Sequence, residues 1–192
     1  MRYKILDQEG IHFLTFTIVE WIDLFTRQVY ADLFLAGLQY CQQHKQLQVY
    51  AYVIMSSHVH LIVQAPENGN LSNIIQSVKS YTARQFLDHI QDYEQTESRR
   101  DWLLNHFAFN AKKNRTGSPY QVWQKGNHPF LLSSPKMIRQ KLNYIHQNPV
   151  QTGMVNLPEH YRYSSAASYE NQPGPLSVTL LEDIWDDMGY VG

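Results

Sequence analysis

Apolar residues along this chain keep two rhythms: compact runs of β-branched and aromatic side chains, which predict strands, and recurrences every three to four residues, which predict helices. Residues 11–19 (IHFLTFTIV) read as a strand. Residues 30–44 read as a helix, with Phe34, Leu38 and Cys41 at i, i+4 and i+7 on one apolar stripe. Two more strand-like runs, 48–55 and 58–65, are separated only by Ser56 and Ser57, which predicts a hairpin. After the loop PENGN, Leu71, Ile74, Ile75, Val78 and Thr82 fall at helical spacing. A polar, basic insertion follows at about 94–119, and 130–132 reads as a short fourth strand. Ser134 and Pro135 then open a helix through Lys136, Ile138, Leu142 and Ile145, expected to close near Asn148 and Pro149. The order β-α-β-β-α-β-α predicts an α+β fold: a ferredoxin-like or RRM-like antiparallel sheet, helices on one face and the active site on the other. No repeat or long linker divides the chain, so 1–192 is read as one domain with that insertion and an acidic C-terminal tail at about 170–192.

Composition narrows the setting. The 192 residues are 43% apolar and 17% charged, the balance of a globular domain with an ample core. A single cysteine excludes a disulfide framework and a multi-thiolate zinc site, and on the helical stripe Cys41 is expected to act as a small hydrophobe. The first residues (MRYKILDQEGIHFL) do not resemble an export signal, and no run reaches the ~18 apolar residues of a membrane span. The expectation is a soluble, cytoplasmic protein with no membrane partner.

A net charge of -1 argues against a simple polycation, but the charge is segregated. Residues 99–141 contain nine basic side chains and one acidic, Asp101, for a local +8. Trp102, Phe107, Phe109, Tyr120 and Trp123 are interleaved there with Arg99, Arg100, Lys112, Lys113, Arg115 and Lys125. Such a mixture grips phosphates and stacks exposed bases. Arg99, Arg100, Lys112, Lys113 and Lys125 are therefore candidate DNA contacts, with His128, before Pro129, beside them; Arg115 fits a solvated turn equally well.

The sharpest chemical signal is His58-Val59-His60 within an apolar strand. Side chains two apart share a face with Cα atoms about 6.8 Å apart, so two imidazoles can converge on one metal ion, while Val59, Leu61 and Val63 point toward the helices. Two ordinarily hydrogen-bonded histidines fit the same pattern. A histidine-triad hydrolase would need a third histidine where Ile62 stands, and a cupin would need a nearly all-strand chain. Further along, Tyr144 and Asn148 at i, i+4 set a phenol and an amide on one side of a helix, and Pro149 is expected to push Asn148 out of helical geometry. Two imidazoles and a neutral amide leave a metal ion nearly its full charge, which suits polarising a phosphodiester. With an ordinary pKa near 10, only about one tyrosine in a thousand is ionised at neutral pH, so a nucleophilic tyrosine needs such help.

His58-Val59-His60 with Tyr144 downstream resembles the single-tyrosine HUH transposases of the IS200 type. The string Tyr144-Ile145-x-x-Asn148-Pro149-Val150 followed by Gly153 resembles their REP-associated tyrosine transposase branch. GIHFLTFT at 10–17, AYVIMSSHVHLIVQ at 51–64, WQKGNH at 123–128 and YRYSSA at 161–166 fall where such proteins carry similar segments. The resemblance implies a metal-dependent single-stranded DNA endonuclease and strand transferase that acts on hairpin-containing DNA. By position, His58, His60 and Asn148 would hold Mg2+ or Mn2+, with Asn148 where many relatives carry Gln. Tyr144 would attack the phosphate to give a 5'-phosphotyrosine and a free 3'-OH. A homodimer and a nucleoid-associated location are further expectations of the resemblance.

Tyr81 with Gln85 is a rival pair at the same spacing. Its helix follows directly from the histidine strand and is expected on the covered face, whereas the helix of Tyr144 follows the last strand and can lie at the open face. A function of another class, a non-catalytic RRM-like binder of single-stranded nucleic acid, would use the same sheet and basic stretch but would need neither Tyr144 nor the two histidines.

Overall fold

A computed structural model describes residues 4–181. Its sheet is formed by β1 (His12–Thr17), β2 (Gln48–Ile54), β3 (His58–Gln64) and β4 (Phe130–Leu131), in the order β2-β3-β1-β4 with every pairing antiparallel. The helices are α1 (Gln28–Lys45), α2 (Leu71–Gln91), α3 (Arg100–Lys113), α4 (Pro135–Gln151) and the short α5 (Ala166–Tyr169). This is the predicted ferredoxin-like arrangement, with the β2-β3 hairpin turning at Ser56 and Ser57. Of the acidic tail expected at about 170–192, residues 182–192 lie outside the described residues.

Strand alternation sorts side chains between two cores. Leu14 and Phe16 of β1, Tyr52 and Ile54 of β2, and Val59, Leu61 and Val63 of β3 join Phe34, Leu38, Cys41, Ile75, Val78, Phe86 and Phe107 from α1, α2 and α3. Each Leu, Ile or Phe buried there contributes about 1.5–3 kcal/mol relative to exposure. Gly37 permits close approach of α1 to α2, because a Cβ at that position would stand 2.6 Å from Thr82 Cγ2. On the opposite face Phe13, Ala51, Val53 and Ile62 pack beneath Ile138 and Ile145 of α4.

Two elements differ from the sequence reading. The basic insertion contains α3, because Leu103, Phe107 and Ala111 form a narrow stripe at i, i+4 and i+8 that buries against the main core. Phe107 and Trp123 are consequently core residues, while Trp102 and Phe109 stay exposed. Trp123 sits among Phe16, Phe25, Phe34 and Phe86, and its indole N–H donates to Thr82 Oγ1 at 3.2 Å.

The second difference is where α4 ends. It does not close at Asn148-Pro149 but runs through Gln151 with Pro149 inside it. The stop is at Gly153, whose φ of 73 is the left-handed value a helix terminus favours. Its N–H reaches the Val150 carbonyl and the Met154 N–H reaches that of Pro149, a Schellman pair. Asn148 therefore keeps helical geometry and projects one turn beyond Tyr144 on the same side.

Candidate functional site

On β3 the pleat turns His58 and His60 away from the three-helix layer, and α4 lies over that same face. The helix starts at a Ser134 cap that accepts the Met137 N–H, with Pro135 in its first turn. Ile138 and Ile145 anchor it to the sheet and set Tyr144 facing the histidines. The Tyr144 hydroxyl stands 3.5 Å from His60 Nε2, across 84 residues of sequence. The two imidazole rings are 4.8 Å apart. Tyr144 is 40% exposed, open enough to meet a macromolecular substrate, whereas Asn148 is buried at 8% and its side chain makes no hydrogen bond among the described residues.

Strand register supplies a residue that the motif does not reveal. Thr15 of β1 is paired with His60, and its hydroxyl lies 2.9 Å from His60 Nδ1. With Nδ1 engaged there, Nε2 is the nitrogen left toward Tyr144. Phe13 stacks on the His60 ring with centroids 5.3 Å apart and meets Tyr144 edge-on. Burial lowers the pKa of His58 and takes His60 down to about 3, with the nearby charges of His58 and Lys141 adding to the effect at His60. Both rings are neutral at physiological pH, the form in which imidazole binds metal. Among the described residues no three His, Cys, Asp or Glu side chains form a metal-binding group, so a three-donor set on this face would have to add a donor of another type, such as the Asn148 amide, to the two imidazoles. The neutral rings and the unengaged buried amide fit that donor set.

Lys141, three residues before Tyr144, places its ammonium 4.5 Å from the Phe13 ring centre and 5.4 Å from those of Phe130 and Tyr144. It brings a positive charge to the phenol, and its i−3 spacing was readable. Lys79 of α2 supports the site from behind. Its ammonium, lowered by burial to about 8, donates to the carbonyls of Gln124 and Gly126 and to Asn127 Oδ1. The Asn127 carbonyl accepts the Thr15 N–H at 2.8 Å, so this clip reaches β1 at the residue whose hydroxyl meets His60.

The basic candidates divide. Arg99 pairs with Asp23 and Glu97, and Arg100 donates to the carbonyls of Ile90, Asp92 and Gln95 while lying over Tyr93. Both guanidinium groups are thus engaged with the protein's own acceptors. Lys112, Lys113, Lys125 and His128 are exposed. Lys125 joins Lys113 in one cleft beside Glu20, and the 122–124 segment there hydrogen-bonds to the end of β1 that faces His58. Tyr81 stacks on Tyr40 of α1 within the helical layer, apart from the histidines. His146 is turned to Ser165 Oγ at 3.0 Å and packs on Tyr169.

At the same end of the sheet, Glu20 and Trp21 follow one another in the left-handed region, with φ of 55 and 57. Such backbone costs roughly 1–3 kcal/mol per non-glycine residue and persists only where the surroundings enforce it. Trp21 lies edge-on to His58 with ring centres 5.5 Å apart.

Known proteins resemble this chain at three levels. The family model described as "Transposase IS200 like" matches residues 11–118. A Haemophilus influenzae protein named as a REP-associated tyrosine transposase is 25% identical over 157 residues, 81% of this chain and 79% of its own length. A solved structure described as a REP-associated tyrosine transposase bound to a REP hairpin superposes with a TM-score of 0.57 at 16% identity, over 93% of this chain and 90% of the other. The family match covers more than half the sequence, from the strand that carries Thr15 through the histidine strand and α3 to residue 118: this chain belongs to the IS200-like transposase family.

Proposed function

We propose that this protein cuts and rejoins single-stranded, hairpin-containing DNA through a covalent 5'-phosphotyrosine on Tyr144, at a Mg2+ or Mn2+ site formed by His58, His60 and Asn148. The observation that carries the reading is the approach of the Tyr144 hydroxyl to within 3.5 Å of His60 Nε2 on the open sheet face. Family membership and the hairpin-bound structural neighbour agree with it. In the cleavage step the phenol loses its proton, a bond forms between its oxygen and the phosphorus, and the bond from phosphorus to the 3' oxygen breaks. The departing 3' oxygen takes up a proton. Attack by a 3'-OH on the phosphotyrosine reverses the step and rejoins the strand. A bound cation would supply charge stabilisation at the phosphate and at the developing phenolate. Lys141 adds a fixed positive charge on the tyrosine side. Phosphate contacts along the rest of the strand fall to the exposed Lys112, Lys113, Lys125 and His128 ahead of Arg99 and Arg100, whose guanidinium groups are each held by several of the protein's own acceptors; Lys125 gives one such bond, to the Asn114 carbonyl.

The test uses end-labelled single strands bearing the hairpins that flank the gene. A protein-DNA adduct stable on a denaturing gel is expected with Mg2+ or Mn2+, lost in EDTA and restored by excess Mn2+. Equal hairpin binding with and without metal, and no adduct under any condition, would establish the non-catalytic binder instead. Within the same assay Thr15→Val, which keeps side-chain shape but removes the partner of His60 Nδ1, is expected to raise the Mn2+ concentration for half-maximal adduct about 10–100-fold. Unchanged metal dependence in that variant would remove Thr15 from the site.

A further inference from the structure

We propose that Trp21 is a base-stacking platform that takes an unpaired nucleobase next to the phosphate held at His58 and His60, and so makes the site selective for single strands. The inference rests on the functional reading above. Trp21 is 60% exposed, whereas Phe16, Phe25 and Trp123 of the main core are buried. An indole serving only to pack would be covered. Here a bulky side chain is instead held outward by two consecutive left-handed residues.

The turn is pinned on every side that could relax it. The Val19 N–H donates to the Val122 carbonyl at 2.9 Å and the Trp21 N–H to the Ile18 carbonyl at 3.0 Å. Glu20 Oε2 pairs with His106 Nδ1 at 2.7 Å, tying the turn to α3. Ile18 and Val19 are buried beneath it.

What surrounds the ring identifies its occupant. On one side is His58, at 5.5 Å between ring centres. Glu20, the residue before Trp21, lines a polar cleft of about 320 Å³ together with Lys113, Lys125, Gln121 and Gln124. An exposed aromatic thus touches one of the two imidazoles, and its chain neighbour lines a cleft with two lysines, so a stacking face and phosphate-binding groups lie close together as a nucleic acid strand requires. Every base has a π face, so stacking tolerates any sequence, but a base in a duplex is already stacked on its neighbours and is not available. The Glu20 carboxylate is held by His106, which limits its repulsion of the backbone.

The experiment uses the full chain and labelled dT20 as probe, alone and as a dA20·dT20 duplex. Trp21→Gly removes the ring at a backbone conformation glycine adopts freely, and Trp21→Tyr keeps an aromatic face. Expected results are dT20 binding about 10-fold weaker in Trp21→Gly, within about 3-fold of the parent in Trp21→Tyr, and duplex binding unchanged in both. Addition of dT20 should quench the parent's tryptophan emission, and Trp21→Tyr should lose most of that quench. Trp21→Gly binding dT20 as tightly as the parent, an equal loss for duplex, or a quench unaltered in Trp21→Tyr would each overturn the proposal. Binding of dT20 requires no cleavage. A protein that stacks dT20 on Trp21 yet never forms the covalent adduct loses the catalytic reading and keeps this one, and the converse pattern does the reverse.

Discussion

Tyr144→Phe is expected to abolish the covalent DNA adduct, a loss of about 10⁴-fold or more, while hairpin binding stays within about threefold of the parent. The substitution deletes one oxygen. What it removes inside the protein is a single contact, at 3.5 Å, to His60 Nε2; the edge-on packing of the ring with Phe13 and His60 stays. Tyr81→Phe is the matched control, because its ring stacks on Tyr40 within the helical layer and is expected to leave adduct formation intact. Both are read on a denaturing gel with the same labelled hairpin. An adduct that survives Tyr144→Phe, or one that disappears in Tyr81→Phe, reassigns the nucleophile.

Glu97→Ala carries the largest expected cost to stability, about 3 kcal/mol. The side chain is fully buried, accepts the Tyr30 hydroxyl at 2.6 Å and the Arg99 N–H at 3.0 Å, and faces Arg27 and Arg99 at 3.2 and 3.4 Å. Its removal strands the buried Tyr30 hydroxyl. The two arginines can rehydrate, since 36% of one side chain and 27% of the other are exposed, which holds the cost near the lower end for a broken buried pair. In thermal melts the midpoint should fall by about 10 °C; a shift under about 2 °C would show the network to be dispensable. Burial pushes the Glu97 carboxyl up, but hydrogen bonds from Tyr30 and the Arg99 N–H, with the charges of Arg99 and Arg27, outweigh it and hold the pKa below the ordinary 4.5. A depressed carboxyl means that the unfolded chain binds the proton more readily. The stabilisation is complete above about pH 4.5 and is lost as pH falls through the lower folded value. Glu97→Gln should therefore flatten the acid limb of stability while leaving the neutral region sloped as in the parent.

The sheet, its hairpin and the two-faced sorting of β3 were legible because strand alternation is a local property: His58 and His60 fall opposite Val59, Leu61 and Val63 by parity alone. The juxtaposition of Tyr144 with His60 was approachable from chain order, since a helix after the last strand can return over the open face. Thr15 and Trp21 were not legible in the same way. Thr15 becomes a partner of His60 only through the pairing register of β1 with β3, and Trp21 is notable only for a backbone conformation that its sequence does not advertise. The insertion misled for a different reason. In α3 the buried stripe is only a few residues wide, so Arg100, Lys112 and Lys113 dominate its composition while Leu103 and Phe107 determine its fold. Pro149 was given more weight than Gly153 at the end of α4, although the proline forfeits one i→i−4 hydrogen bond without ending the helix, whereas the left-handed glycine stops it.

The β2 margin of the sheet is already occupied. Ile54 N–H donates to the Tyr163 carbonyl, Tyr52 N–H to Ser165 Oγ and Thr179 N–H to the Val49 carbonyl, so two returning segments fill the hydrogen-bonding positions an incoming strand would need. The opposite margin, β4, is two residues long. Among the described residues the sheet leaves no long bare edge, which offers little template for edge-to-edge aggregation. Copies of this chain that assemble have helix faces and loops to meet through, rather than a continuous intermolecular sheet.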